Sequence, residues 1–167
     1  MAEPGKFGWE PGRKTRWALT EQALFYSQRE SMPGRVEHIN PSEMTVNPAF
    51  TQVITVTGPV KTVYIGAQTS VDGNRNIVGK GDIGAQTEQI CRNIDFCLEA
   101  AGARKEHLIS WNIYVAEGQD MRPAFEAGMR WLDRSTPPPL NNVMYVSGFL
   151  PADFLISIEA IAVVPLD

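Results

Sequence analysis

Apolar residues recur along this chain with two different periods, and the switches between those periods divide it into elements. Ala49–Thr57 and Lys61–Gln68 are rich in Val, Ile, Thr and Tyr, residues suited to a pleated sheet, with Thr57-Gly58-Pro59 between them as a turn. The pair predicts a β-hairpin. A glycine-punctuated loop, Val71–Gly81, follows. Asp82 then opens a run in which Ile83, Ile90, Ile94, Cys97, Leu98 and Ala101 fall near helical spacing, closed by Gly102. Leu108–Val115 alternates cleanly, with Ile109, Trp111, Ile113 and Val115 on one face and Ser110, Asn112 and Tyr114 on the other, and so predicts a strand. A second helix is predicted over Asp120–Asp133, where Pro123 is tolerated in the first turn and Phe125, Met129 and Leu132 form a stripe. Ser135-Thr-Pro-Pro-Pro139 breaks it. Val143–Gly148 and Phe154–Val164 read as two further strands, separated by a turn at Pro151-Ala-Asp153.

The resulting order, β-β-α-β-α-β-β, predicts an α/β (α+β) domain over residues 35–167: a two-layer sandwich with both helices packed on one face of a mixed sheet. Residues 1–34 depart from that pattern. Pro4, Gly5, Gly8, Pro11 and Gly12 sit among Lys6, Arg13, Lys14 and Arg16, which favours irregular backbone. Thr20 can cap a short helix through Gln28 that ends at Met32-Pro33-Gly34. An N-terminal arm with one short helix is the expectation.

Composition narrows the chemistry. Fifteen Lys and Arg stand against nineteen Asp and Glu, a net charge of -4, so no basic excess is present to neutralise phosphates and nucleic acid is not an expected partner. His38, His107, Cys91 and Cys97 are too few for a zinc cluster, and no metal is expected. On one helix the two thiols would stand roughly 9 Å apart, beyond disulfide reach, which fits a reducing compartment. No run approaches the ~20 apolar residues of a membrane span, and the first residues lack the apolar core of a signal peptide. A soluble cytoplasmic protein with no membrane partner is expected.

One residue breaks its local pattern. Glu159 lies in Leu155-Ile-Ser-Ile-Glu-Ala-Ile-Ala-Val-Val164, where almost every neighbour is apolar. A carboxylate there either faces solvent or a partner subunit, or sits desolvated in a setting suited to proton transfer. Asn112, Asn141 and Asn142 can present amide donors to a ligand oxygen, or can serve turn and strand-edge hydrogen bonding.

Four blocks then occur in order: Val63-Tyr-Ile-Gly-Ala-Gln68; Gly84-Ala-Gln86 with Asn93 seven residues on; Leu98-Glu-Ala-Ala-Gly102; and Ile158-Glu-Ala-Ile-Ala162. Together they resemble the Rid family of reactive-intermediate deaminases, also called the YjgF family and often labelled endoribonuclease L-PSP, over residues 35–164. The resemblance implies a chorismate-mutase-like fold and a homotrimer with ligand clefts between subunits. It also implies hydrolysis of enamines and imines, such as 2-aminoacrylate, to keto acids and ammonia, without metal or organic cofactor. In active members an arginine clamps the substrate carboxylate bidentately and a glutamate directs the attacking water.

Carried over by position, the family's Ser-Gly-Gln falls on Gly66-Ala67-Gln68, its early tyrosine on Phe50, its helix asparagine on Asn93 and its late glutamate on Glu159. Its Pro-x-Arg-Ser falls on Pro139-Leu140-Asn141-Asn142, with Val143 next, so the arginine is replaced by Asn141. Loss of a bidentate charged contact weakens carboxylate binding at least ~10-fold to ~100-fold. The resemblance therefore implies Glu159 as the catalytic residue. It implies Phe50, Gly66, Ala67, Gln68, Asn93, Asn112, Asn141, Asn142 and Val143 as a substrate-binding set adapted to a neutral small molecule at the subunit interface. Two alternatives stay open: a non-catalytic small-molecule-binding or regulatory trimer, and a deaminase of an aromatic-degradation intermediate resembling an aminomuconate. Ribonuclease action finds no cationic group in this set to meet a phosphate.

Overall fold

The computed structural model describes residues 32–132 and 134–167, and the short helix expected after Thr20 lies outside them. Six strands and two helices follow in chain order: β1 (Arg35–Ile39), β2 (Val53–Thr57), β3 (Val60–Gln68), α1 (Ile83–Ala100), β4 (Leu108–Ala116), α2 (Arg122–Trp131), β5 (Leu140–Val146) and β6 (Ile156–Pro165). Four strands form one sheet in the order β3-β6-β4-β5, antiparallel except for the parallel pair β4–β5, which α2 connects. The sheet is mixed, as expected. β1 and β2 pair antiparallel as a separate ribbon.

The ends of α1 follow from side-chain chemistry. Asp82 accepts the Ala85 N–H and caps the first turn. At the other end Gly102 adopts φ +60, and the N–H groups of Gly102 and Ala103 return to the carbonyls of Glu99 and Leu98, which closes the helix with a Schellman motif. α2 starts after Asp120, whose carboxylate accepts the Arg122 N–H, with Pro123 in the first turn where its missing donor is harmless.

Alternation along β4 delivers Trp111, Ile113 and Val115 to the helices, and β6 delivers Ile156, Ile158, Ala160 and Ala162 to the same face. Ile90, Ile94 and Leu98 of α1 close over them with at most 1% exposure. Each such side chain stabilises the fold by roughly 1.5–3 kcal/mol through apolar burial.

Two expectations are corrected. The hairpin between residues 49–57 and 61–68 does not form: β2 pairs with β1, a strand the pattern reading did not find, while β3 pairs with β6. The cause lies at Gly58-Pro59, which bends the chain instead of reversing it. Pro33 and Gly34 press into that bend so closely that a Cβ on Gly34 would stand 2.1 Å from the Pro59 carbonyl and one on Gly58, at φ +74, 2.7 Å from that of Pro33. The fifth strand also starts earlier than expected, at Leu140 and not Val143, so Asn141 and Asn142 are ladder residues beside β4. Parallel pairing with a central strand, invisible in two adjacent asparagines, overrides their turn preference.

Candidate functional site

Residues 111 and 112 are consecutive in β4 and face opposite sides of the sheet, and this alternation splits the expected site into two groups. On the side away from the helices, Asn112 lies opposite Glu159 of β6 and level with Asn142 of β5. Across β6, Ile65 pairs with Ala160 and Gln68 with Ile158, which leaves Gly66 and Ala67 as a bulge opposite Glu159. Gly66/Ala67, Glu159, Asn112 and Asn142 therefore form one transverse row. Gln68 donates its amide to the Gly66 carbonyl at 3.0 Å, which braces the bulge.

Glu159 has a partner that pattern reading missed. Tyr114, one strand away on the same face, donates its phenol to Glu159 Oε2 at 3.1 Å. The phenol's pKa is raised, first by this hydrogen bond to the carboxylate, then by desolvation and the nearby negative charge. The bond engages one carboxylate oxygen, and among the described residues Oε1 has no hydrogen-bond partner, which leaves it able to take a proton. Tyr114 shares the alternation phase of Asn112, which was readable from the sequence; the register that sets it beside Glu159 was not.

On the helix side, a narrow slot of about 40 Å³ lies between α2, α1 and strands β4–β6. Asn141 and Val143 line it with Ala49, Trp111 and Phe125, and none of the described lining residues is charged. Asn141 Oδ1 and Trp111 Nε1 are both buried and have no hydrogen-bond partner among the described residues. Trp111 is 5% exposed and stacks on Trp131 with ring centroids 6.2 Å apart. Phe125 and Met129 also line a wider groove of about 590 Å³, whose charged lining is Lys105, Arg130 and Arg134 together with Glu126, Arg130 being paired with Glu88 at 2.9 Å.

The other expected residues lie outside both groups. Phe50 is partly buried in the segment that Thr51 fastens to the proline run, through its hydroxyl to the Pro138 carbonyl at 2.6 Å and its N–H to the Pro139 carbonyl at 3.2 Å. Asn93 is engaged in holding a loop: Nδ2 donates to the carbonyls of Thr69 at 3.0 Å and Val71 at 2.9 Å, and Oδ1 accepts from Gln89 at 2.9 Å. Gln86 staples α1 to the segment before β6 in the same way, donating to the Asp153 carbonyl and accepting the Leu155 N–H. The buried Cys91 thiol is pushed up to about 12, first by desolvation and then by Asp95, which leaves it protonated and inert. Among the described residues no group of three or more His, Cys, Asp and Glu converges as a metal site, and no helix is long and apolar enough to cross a membrane.

Comparison with known proteins supplies the family. Residues 42–164 match the model of the Endoribonuclease L-PSP family. A RutC family protein of Pyrococcus horikoshii is 34% identical over 100 residues, 60% of this chain and 77% of that protein. Among solved structures, a Yersinia pestis protein of unknown function from the conserved Rid family superposes with a TM-score of 0.69 at 25% identity, covering 77% of this chain and 98% of that one. RidA from the Antarctic bacterium Psychrobacter superposes with a TM-score of 0.55 at 26% identity, covering 62% of this chain and 80% of that one. The motif blocks, the two-helix mixed sheet and these matches agree: the chain belongs to the Endoribonuclease L-PSP family, the Rid or YjgF proteins.

Proposed function

We propose that this chain assembles as a homotrimer that binds a small, uncharged metabolite at its subunit clefts and hydrolyses an enamine or imine carbon–nitrogen bond, with 2-iminoacids as poor substrates. The observation that carries this reading is the slot around Asn141, whose described lining has no charged side chain. A carboxylate entering it would lose its hydration with no cation in return, and burial of an unpaired charge is strongly unfavourable. Glu159 Oε1 takes a proton from water as the water oxygen bonds to the imine carbon, and returns it to the nitrogen to give the neutral carbinolamine. The carbinolamine hydroxyl then gives its proton to the same nitrogen by way of the carboxylate as the carbon–nitrogen bond breaks, so that ammonia leaves with both protons of the water and a carbonyl remains.

The split geometry supports a cleft shared between copies. Glu159 and Asn141 belong to opposite faces of one sheet, so a ligand touching both needs the Glu159 face of one copy set against the slot of another. The same separation favours a second reading, a binding protein without turnover, in which Glu159 and Tyr114 serve the subunit contact alone.

Generating 2-aminoacrylate with a serine or threonine dehydratase and following keto-acid release tests the first reading. Slow release that Glu159→Gln abolishes is expected. Release as fast as in active family members overturns the argument from Asn141, and release unchanged by Glu159→Gln removes the catalytic role. Light scattering at micromolar concentration should give about three chain masses.

A further inference from the structure

Asn112 of β4 and Glu159 of β6 are register partners across an antiparallel pair, on the sheet face away from the helices. Among the described residues the Asn112 amide has no hydrogen-bond partner, and Glu159 Oε1 has none either. Both residues are only half-buried. The buried polar side-chain atoms left without a partner belong to Ser70, Trp111 and Asn141, so Oε1 and the Asn112 amide, which are not among them, reach solvent. Two residues along β4, Tyr114 donates its phenol to Oε2 at 3.1 Å and ties the carboxylate to the strand that carries Asn112.

Spacing decides what fits between the two side chains. Directly opposite residues on one sheet face start from Cβ atoms ~4.5–5.5 Å apart. One water that donates to an acceptor on each side at ~2.8 Å spans about 4.6 Å. A single oxygen therefore bridges the pair, whereas Asn142, one strand further on, stands roughly 9.6 Å from Glu159 and lies beyond the same water. The chemistry of the amide fixes the orientation. A water that donates one proton to Oε1 and the other to Asn112 Oδ1 keeps a lone pair for carbon, while an Nδ2–H donor turned toward it would occupy that lone pair.

We propose that Asn112 is a catalytic residue, its Oδ1 holding the attacking water against Glu159 Oε1 while Tyr114 keeps the carboxylate in place. This rests on the reading of Glu159 as the base of the hydrolysis and names the group that orients its water. The proton facing Oε1 is the one transferred as the oxygen bonds to the imine carbon. The proton facing Asn112 stays on that oxygen and becomes the carbinolamine hydroxyl.

Two measurements test the assignment. A crystal structure of the unaltered full chain, at a resolution that shows ordered water, should place one water ~2.7–3.1 Å from both Glu159 Oε1 and Asn112 Oδ1. In kinetics, keto-acid release is followed over a range of 2-aminoacrylate concentration set by dehydratase flux. Asn112→Ala should lower kcat by ~5-fold to ~10-fold with KM changed less than ~2-fold, a split that a purely structural role would not produce. A rise in KM at unchanged kcat would make Asn112 a substrate contact and overturn the proposal. No water between the two side chains, or a direct hydrogen bond from Asn112 to Glu159, would overturn it as well, and the crystal result stands whether or not the variant folds. A bridging water without turnover by the unaltered chain would remove the hydrolase reading and keep the bridged water. Turnover that Glu159→Gln abolishes and Asn112→Ala leaves unchanged would do the reverse.

Discussion

Replacing Asn93 by Ala separates a structural role from the substrate-binding role its position implies. The side chain makes three hydrogen bonds, two donated to the Thr69 and Val71 carbonyls and one accepted from Gln89. Each contributes about 0.5–1.5 kcal/mol net, and the two carbonyls left behind lose partners in a half-buried setting. Coupling within one network and partial access to water bring the expected loss to about 2–3 kcal/mol, or roughly 4–12 °C in midpoint for a chain of this size. Urea and thermal unfolding at one fixed protein concentration measure it, since an oligomer's midpoint depends on concentration. The rate of keto-acid release by the folded protein should change less than ~2-fold, because Asn93 lines neither the slot nor the Glu159 row. A loss below about 0.5 kcal/mol accompanied by a large drop in that rate would refute this assignment.

Four other changes probe the rest of the argument. Asn141→Arg should raise affinity for small carboxylates such as 2-oxobutyrate by ~10-fold to ~100-fold in calorimetry, and no gain would mean that the slot's shape, beyond its charge, has diverged. Tyr114→Phe removes the phenol bonded to Glu159 and should lower kcat with little change in KM, whereas an equal rise in KM would place Tyr114 in substrate binding. Gly128→Ala puts a methyl 3.6 Å from Trp111 Cη2, an ordinary contact; the helix should gain about 0.5–1 kcal/mol in urea unfolding, and a loss would show that the Trp111 ring cannot accommodate the methyl. Burial lowers the pKa of both His38 and His107, and His107 Nδ1 accepts the Arg104 N–H, a contact that protonation would end. The folded state thus prefers neutral imidazoles, so their contribution is complete above about pH 6.5 and is lost as pH falls below it. His107→Asn should flatten that part of the unfolding-midpoint profile, and an unchanged slope would disprove the linkage.

Local rules carried most of the fold. Strict alternation from Trp111 to Val115, the Asp82 cap and the Gly102 stop fix β4 and α1 without reference to the rest of the chain. What failed was long-range. Whether Gly58-Pro59 reverses the chain or only bends it depends on Pro33 and Gly34 pressing in from outside the expected domain core. The start of β5 depends on a parallel partner some thirty residues earlier. The candidate site shows the same division. Glu159 stood out because a charge interrupts an apolar run, but Tyr114 and Trp111 fit their strand and gave no signal until register placed one on the carboxylate and the other beside Asn141. Asn93 illustrates the converse, a side chain matching a family position whose hydrogen bonds in this chain all run to its own loop and helix.

The opposite-face arrangement leads to a test that no single variant supplies. If one cleft takes Glu159 from one subunit and the slot from its neighbour, a chain with Glu159→Gln and a chain with Asn141→Leu are each inactive as pure trimers, yet complement when mixed. In a heterologous ring each cleft draws on two adjacent subunits. Co-refolded at equal amounts, about one half of the positions supply an intact Glu159 and about one half of their neighbours an intact slot, so roughly a quarter of the clefts are whole. The carboxamide analogue of 2-aminoacrylate is the suitable substrate because it is uncharged, and its imine form takes one water and yields pyruvamide and ammonia. Recovery of about a quarter of the unaltered rate would tie both faces to one intersubunit site. Zero recovery from a properly assembled mixture, with the unaltered chain active, would mean that Glu159 and Asn141 act within one subunit or at different sites, and the trimeric cleft would have to be given up.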